Sequence, residues 1–210
     1  MFGHWFTSEK LVGEMKTSLE VCTALGEKKT ADLDAEVAVF VDETMYTKLG
    51  AKAPAVGCIS AMRGALAKSG CPYHAYLIED FAKLTQGNFA YKAVVLATPL
   101  ETGLVADAAA YCKKNNVPCL RFRENQFQFS ADAYRSFFKN SGVWCYLETE
   151  DVFYIGNGYF AIHASREGEK TVRFPEKRHI VALNDHNKTI FTDTLQVPMR
   201  QFETQLFQLV

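Results

Sequence analysis

Hydrophobic and polar positions divide the chain into three textures. Over residues 8–26 apolar side chains recur at helical spacing, with Leu11, Met15, Leu19, Cys22 and Leu25 on one face. Ser8 suits the N-cap, Glu9 the positive end of the helix dipole and Gly26 the C′ position. The polar stretch EKKTADLDAE that follows has no apolar period and reads as a linker. From residue 36 the apolar residues come instead in short unbroken runs: EVAVFVDE (36–43), YHAYLIED (73–80), YKAVVLATP (91–99) and VPCLRFRE (117–124). Such runs predict strands buried on both faces, as in a parallel sheet.

Helical patterns separate these runs. VGCISAMRGALAKSG spaces Ile59, Met62 and Leu66 for one face and stops at Gly70. TGLVADAAAYCKKNN carries Leu104, Val105, Ala108 and Cys112 ahead of two lysines, which suit a helix C-terminus. SADAYRSFFKNSG predicts a third helix, capped by Ser130 and ended near Gly142. Strand–helix alternation at this period predicts an α/β fold, a flavodoxin-like or amidotransferase-like parallel sheet with flanking helices. After residue 141 the texture changes again. Gly-Asn-Gly, Arg-Glu-Gly-Glu and Asn-Asp-His-Asn break the remainder into strands of five to eight residues, which predicts a small antiparallel β-sandwich. The expected division is an N-terminal strap and helix (1–34), an α/β domain (35–141) and a β-sandwich domain (142–210).

The chain's 210 residues suit one ordinary domain or two small ones, and 48% hydrophobic content supplies a core. A net charge of −1 without blocks of like charge argues against nucleic acid or an anionic membrane as partner. No apolar run approaches the roughly 20 residues of a membrane helix. The six cysteines (Cys22, Cys58, Cys71, Cys112, Cys119 and Cys145) form no C-x-x-C pair. They read as reduced, mostly buried, small apolar residues, which favours the cytoplasm, with a single bridge left open. The lead-in MFGHWF lacks the basic region and cleavage site of a secretory signal. It reads as the edge of a larger protein, whose catalytic centre this chain would lack.

In an open parallel sheet, ligands bind beyond the carboxyl ends of the strands. Those ends carry Asp42 and Glu43, Glu79 and Asp80, Thr98 and Glu101, and Arg123 and Glu124. This acidic rim could hold a metal or polar ligand, or the acids could simply favour helix N-termini. No G-x-S-x-G elbow, dinucleotide fingerprint or P-loop occurs. Cys119 has no flanking glycine and lies inside a strand run, so a buried thiol is its simpler role. His4, His74, His163, His179 and His186 are not paired at metal-ligand spacing. The aromatics suit core and interface packing or a sugar-stacking face.

One stretch carries a family resemblance. Gly142-Val143, Tyr146, Asp151-Val152, Phe160-Ala161-Ile162-His163-Ala164 and Gly168-Glu169-Lys170-Thr171-Val172-Arg173-Phe174-Pro175 resemble the C-terminal part of large β-galactosidase-like glycoside hydrolases. AEVAVFVDE, GALAKSGCPYHAYLIEDF and YKAVVLATPLET look like their glutamine-amidotransferase-like domain, and MFGHWF like its junction with the catalytic TIM barrel. The resemblance implies that the catalytic carboxylates belong to the barrel, for which about 250 residues are needed. It therefore implies no catalytic residue, cofactor or metal here, and a non-catalytic accessory role in homo-oligomer assembly beside an upstream barrel. Two alternatives stay open: a stand-alone α/β enzyme using the acidic crevice, and a carbohydrate-binding module in the β half.

Overall fold

The computed structural model describes residues 8, 9, 12, 13, 15, 16, 19, 22, 23, 35–45, 62–123, 125–183 and 188–210. The lead-in at 1–7, linker residues 27–34, residues 56–61 of the helix expected before Gly70, and Glu124 lie outside them. The described positions between 9 and 23 are helical, as the spacing predicts, with Val12 N–H donating to Ser8 O at 3.0 Å. Met15 and Leu19 on the apolar face stand 48% and 67% exposed, and Cys22 is exposed as well.

The predicted parallel sheet forms from β1 (Val37–Val41), β2 (Tyr73–Leu77), β3 (Ala93–Leu96) and β4 (Cys119–Arg121) in the order β2-β1-β3-β4, with every pairing parallel. This order is that of flavodoxin-like doubly wound sheets. Its physical cause is the unbroken apolar runs. Val37, Val39, Ala93 and Val95 face one side, where they meet Leu66 and the helix α3 (Ala131–Asn140) through Tyr134 and Phe138. Ala38, Phe40, Val94 and Leu96 face the other side. There they meet α1 (Phe81–Thr85) and α2 (Gly103–Lys114) through Phe81, Val105, Ala108 and Cys112. A period of two thus feeds two separate cores, each side chain contributing about 1.5–3 kcal/mol on full burial. Thr102 and Ser130 cap α2 and α3, accepting hydrogen bonds from the amides of Val105 and Ala133.

The β half holds β5 (Val152–Gly156), β6 (Tyr159–His163), β7 (Gly168–Ala182), β8 (Thr189–Met199) and β9 (Thr204–Leu209) in one antiparallel sheet, order β5-β6-β9-β7-β8. Two of its strands are longer than the expected five to eight residues: β7 has 15 and β8 has 11. β7 runs on through FPEKR, where the β7–β8 register shifts between Arg173 and Arg178. Pro175, with no N–H to give the ladder, lies inside that shift. The sheet folds over itself there. Phe160 pairs with Phe207, and Phe207 with Ala182 of β7, yet the Phe160 ring also meets Phe174, eight residues back along β7, at 5.4 Å. The predicted sandwich is thus one continuous sheet whose halves face each other across a core of Phe153, Phe160, Ile162, Val172, Phe174 and Leu195.

The segment after α3 stitches the two sheets together. Tyr146 N–H donates to Gly70 O at 2.9 Å, Phe153 N–H to Ala67 O at 3.2 Å, and Arg173 N–H to Tyr146 O at 2.8 Å. Gly70 has φ +74°, and a Cβ there would stand 1.7 Å from Leu147 O, so only glycine permits this approach. Arg135, 9% exposed, donates to the carbonyls of Ser69 (3.0 Å), Lys68 (3.1 Å) and Thr149 (3.3 Å), and pairs with Asp132.

Candidate functional site

The strand order reverses between β1 and β3, which makes their carboxyl ends the switch point of the sheet. Asp42, just past β1, is 2% exposed. One oxygen accepts from the amide and hydroxyl of Thr44 at 2.9 and 2.6 Å, and the other from the Thr102 hydroxyl at 3.3 Å. The same Thr102 oxygen caps α2 by accepting from Val105 N–H at 3.4 Å. One carboxylate therefore orders the turn after β1 and ties it to the helix that follows β3. Thr98, also buried, accepts from Leu100 N–H at 3.3 Å and shapes the β3–α2 loop.

The other predicted rim residues are spread along the sheet. Glu43 is exposed beside Asp42. Glu79 and Asp80 are exposed in a single 3₁₀ turn after β2. Glu101 forms an ion pair with Arg121 of β4 at 2.7 Å. Arg123 is exposed, and its backbone exchanges two hydrogen bonds with Gln126. β2 and β4 are opposite edges, three strand spacings or about 14 Å apart. The fold thus joins Asp42 to Thr102 and Glu101 to Arg121, and it places Glu79 and Asp80 at the far edge from Arg123.

The described histidines are engaged within the fold. His74 Nδ1 hydrogen-bonds the Tyr91 hydroxyl at 2.8 Å, and burial lowers its pKa. His163 Nδ1 meets Thr204 Oγ1 at 2.9 Å across the β6–β9 ladder, and His179 packs on Phe191 at 4.5 Å. Among the described residues no group of three or more His, Cys, Asp and Glu side chains is arranged to hold a metal ion. None of the described helices is long and apolar enough to cross a membrane. Tyr154 and Phe191, 56% and 58% exposed, sit on β5 and β8, the two edge strands of the sheet.

Polar chemistry that sequence reasoning missed lies at the β half. Asp151 and Lys170, 2% and 4% exposed, form an ion pair at 2.9 Å, and Asp151 also accepts from Ser165 N–H at 2.6 Å. Burial pushes the Asp151 carboxyl up. Hydrogen bonds from Thr149, Lys170 and the Ser165 amide outweigh that effect and hold it below its usual value. The pair borders a cleft of about 540 Å³ shared with Lys68, Arg166, Glu167 and Glu169. A neighbouring cleft of about 740 Å³ adds Pro198, Met199, Arg200 and Glu203. Both are lined by mixed charges, and the two buried members form an ion pair with each other. A sequence signal existed: in KTVRF, Lys170 alternates in phase with Val172 and Phe174.

The cysteines differ in part from expectation. Cys71 and Cys112 are buried, Cys119 and Cys145 half-buried, and Cys22 is exposed on a helix; Cys58 lies outside the described residues.

No family model matches the chain, and no curated protein matches it. Among solved structures, the fold is similar to part of a β-galactosidase. The crystal structure of β-galactosidase from Bacillus circulans sp. alkalophilus is similar with a TM-score of 0.54 at 13% sequence identity, covering 84% of this chain. The match covers 42% of that protein's chain, so this chain spans less than half of its neighbour.

Proposed function

We propose that this chain is a non-catalytic accessory and assembly region of a β-galactosidase-like glycoside hydrolase, working beside a catalytic barrel. The observation that carries this reading is the similarity of fold to a β-galactosidase over 84% of the chain, through both the parallel and the antiparallel sheet. The crevice chemistry supports it. Asp42 is occupied by three donors that order loops, and Glu101 is occupied by Arg121. The amidotransferase-like half, the boundaries at 34/35 and 141/142, a homo-oligomer and a cytoplasmic setting belong to the same proposal.

The test is purified chain assayed with a chromogenic β-galactoside while its mass is read by light scattering. The expected result is a multiple of the 23.6 kDa protomer without turnover. A monomer at tens of micromolar would overturn the assembly role. Turnover that disappears in Asp42→Asn or Glu101→Gln would overturn the non-catalytic one and favour the crevice enzyme.

A further inference from the structure

Two thiols from the two ends of the seam meet at one carbonyl oxygen. Cys71 lies between Gly70 and β2, and Cys145 lies on the segment that leaves α3 for the β half. Cys71 Sγ stands 3.9 Å from Ser69 O, and Cys145 Sγ stands 3.7 Å from the same oxygen. The backbones are already paired one residue away, by Tyr146 N–H on Gly70 O at 2.9 Å. The shared oxygen and this backbone bond bring the two residues side by side, and a disulfide between them requires Cα atoms about 4.4–6.8 Å apart. Cys145 is the half-buried member and Cys71 the buried one, so a reagent in solution meets Cys145 first.

We propose that Cys71 and Cys145 form a thiol-exchange site, in which reaction with a small-molecule disulfide converts the pair into a covalent staple between the start of β2 and the segment entering the β half. The Cys145 thiolate attacks one sulfur of the small disulfide, whose S–S bond breaks and whose other half leaves as a thiolate. Cys71, its proton passed to water, then attacks Cys145 in the mixed disulfide and expels the second half. Two protein thiols are oxidised, one small disulfide is reduced to two thiols, and a reducing thiol reverses both steps.

The surroundings favour Cys145 as the attacking group. The adjacent Cys71 thiol and the nearby Lys139 and Arg135 cations pull its pKa down to about 7, against burial and Glu148, which push it up. The same contact and burial raise Cys71, which suits it to respond second. Cys112 and Cys119 also pack in one cluster, but they lie on α2 and the adjacent β4, so a bridge there would staple one strand–helix unit to itself.

The experiment uses the full chain and oxidised glutathione, read by intact mass and by peptide mapping after alkylation. The expected product is lighter by two hydrogens and yields a linked Cys71–Cys145 peptide that dithiothreitol dissolves. Its rate of formation rises with pH through a midpoint near 7. Cys71→Ser should stop at glutathione held on Cys145, and Cys145→Ser should leave Cys71 unmodified. A bridge at Cys112–Cys119 with Cys71 and Cys145 both still alkylated would overturn the proposal. So would adducts confined to Cys22. Both readings come from the unsubstituted protein and do not depend on either variant folding.

Discussion

Replacing Asp151 with Asn tests whether the buried ion pair is a structural clasp. Asn keeps an oxygen for Ser165 N–H and nearly the same volume, so the change removes charge and little else. Lys170, 4% exposed, then faces the core without its counter-ion. Breaking a buried pair from one side costs about 3–5 kcal/mol. For a chain of this size the corresponding fall in Tm is about 6–20 °C.

Urea unfolding of Asp151→Asn, Lys170→Met and the double variant supplies the measurement. Both single variants should be strongly destabilised. The double should be less so than their sum by about 2 kcal/mol or more, because neither variant group then strands a charge. A cost below about 1 kcal/mol, as for an exposed pair, or a double variant no less destabilised than the sum of the singles, would refute the reasoning.

In the parent chain, the depressed Asp151 pKa contributes stability that is full above the unfolded value near 3.9 and lost as pH falls through the lower folded value, so an acid titration should show a loss below about pH 4 that Asp151→Asn lacks. Gly70→Ala should cost more than about 3 kcal/mol, or abolish soluble expression, because a methyl group meets Leu147 O and φ is positive; a fall in Tm under about 3 °C would contradict this. Asp42→Asn should cost about 1–3 kcal/mol by thermal melting through its buried donors, whereas Glu43→Ala and Asp80→Ala should stay within about 0.5 kcal/mol.

The α/β half was legible because burial on both faces leaves a run of apolar residues that nothing else explains, and all four strands fall inside the predicted runs. Thr102 was not anticipated as the cap of α2, although Thr-Gly-Leu-Val is a plain capping sequence. In the β half, the change of class was visible and the strand lengths were not. Pro175 and its charged neighbours look like a turn, and only the pairing of β7 with β8 on both sides of the bulge shows that the strand continues. The strand-end acids were legible as positions. Their roles depend on distances between strands, which no local pattern encodes. Lys170 was the clearest missed signal: its inward phase was present in the alternation, but its partner Asp151 comes from a different turn of the chain.

Arg135 grips the two halves through peptide oxygens rather than side chains. Backbone acceptors survive any substitution, so the grip does not depend on which residues stand at positions 68, 69 and 149. Cutting the chain after residue 141 and making the pieces separately would leave the guanidinium on one fragment and the Thr149 oxygen on the other. The two sheets should therefore melt as one cooperative unit, with a single calorimetric peak, despite having separate cores.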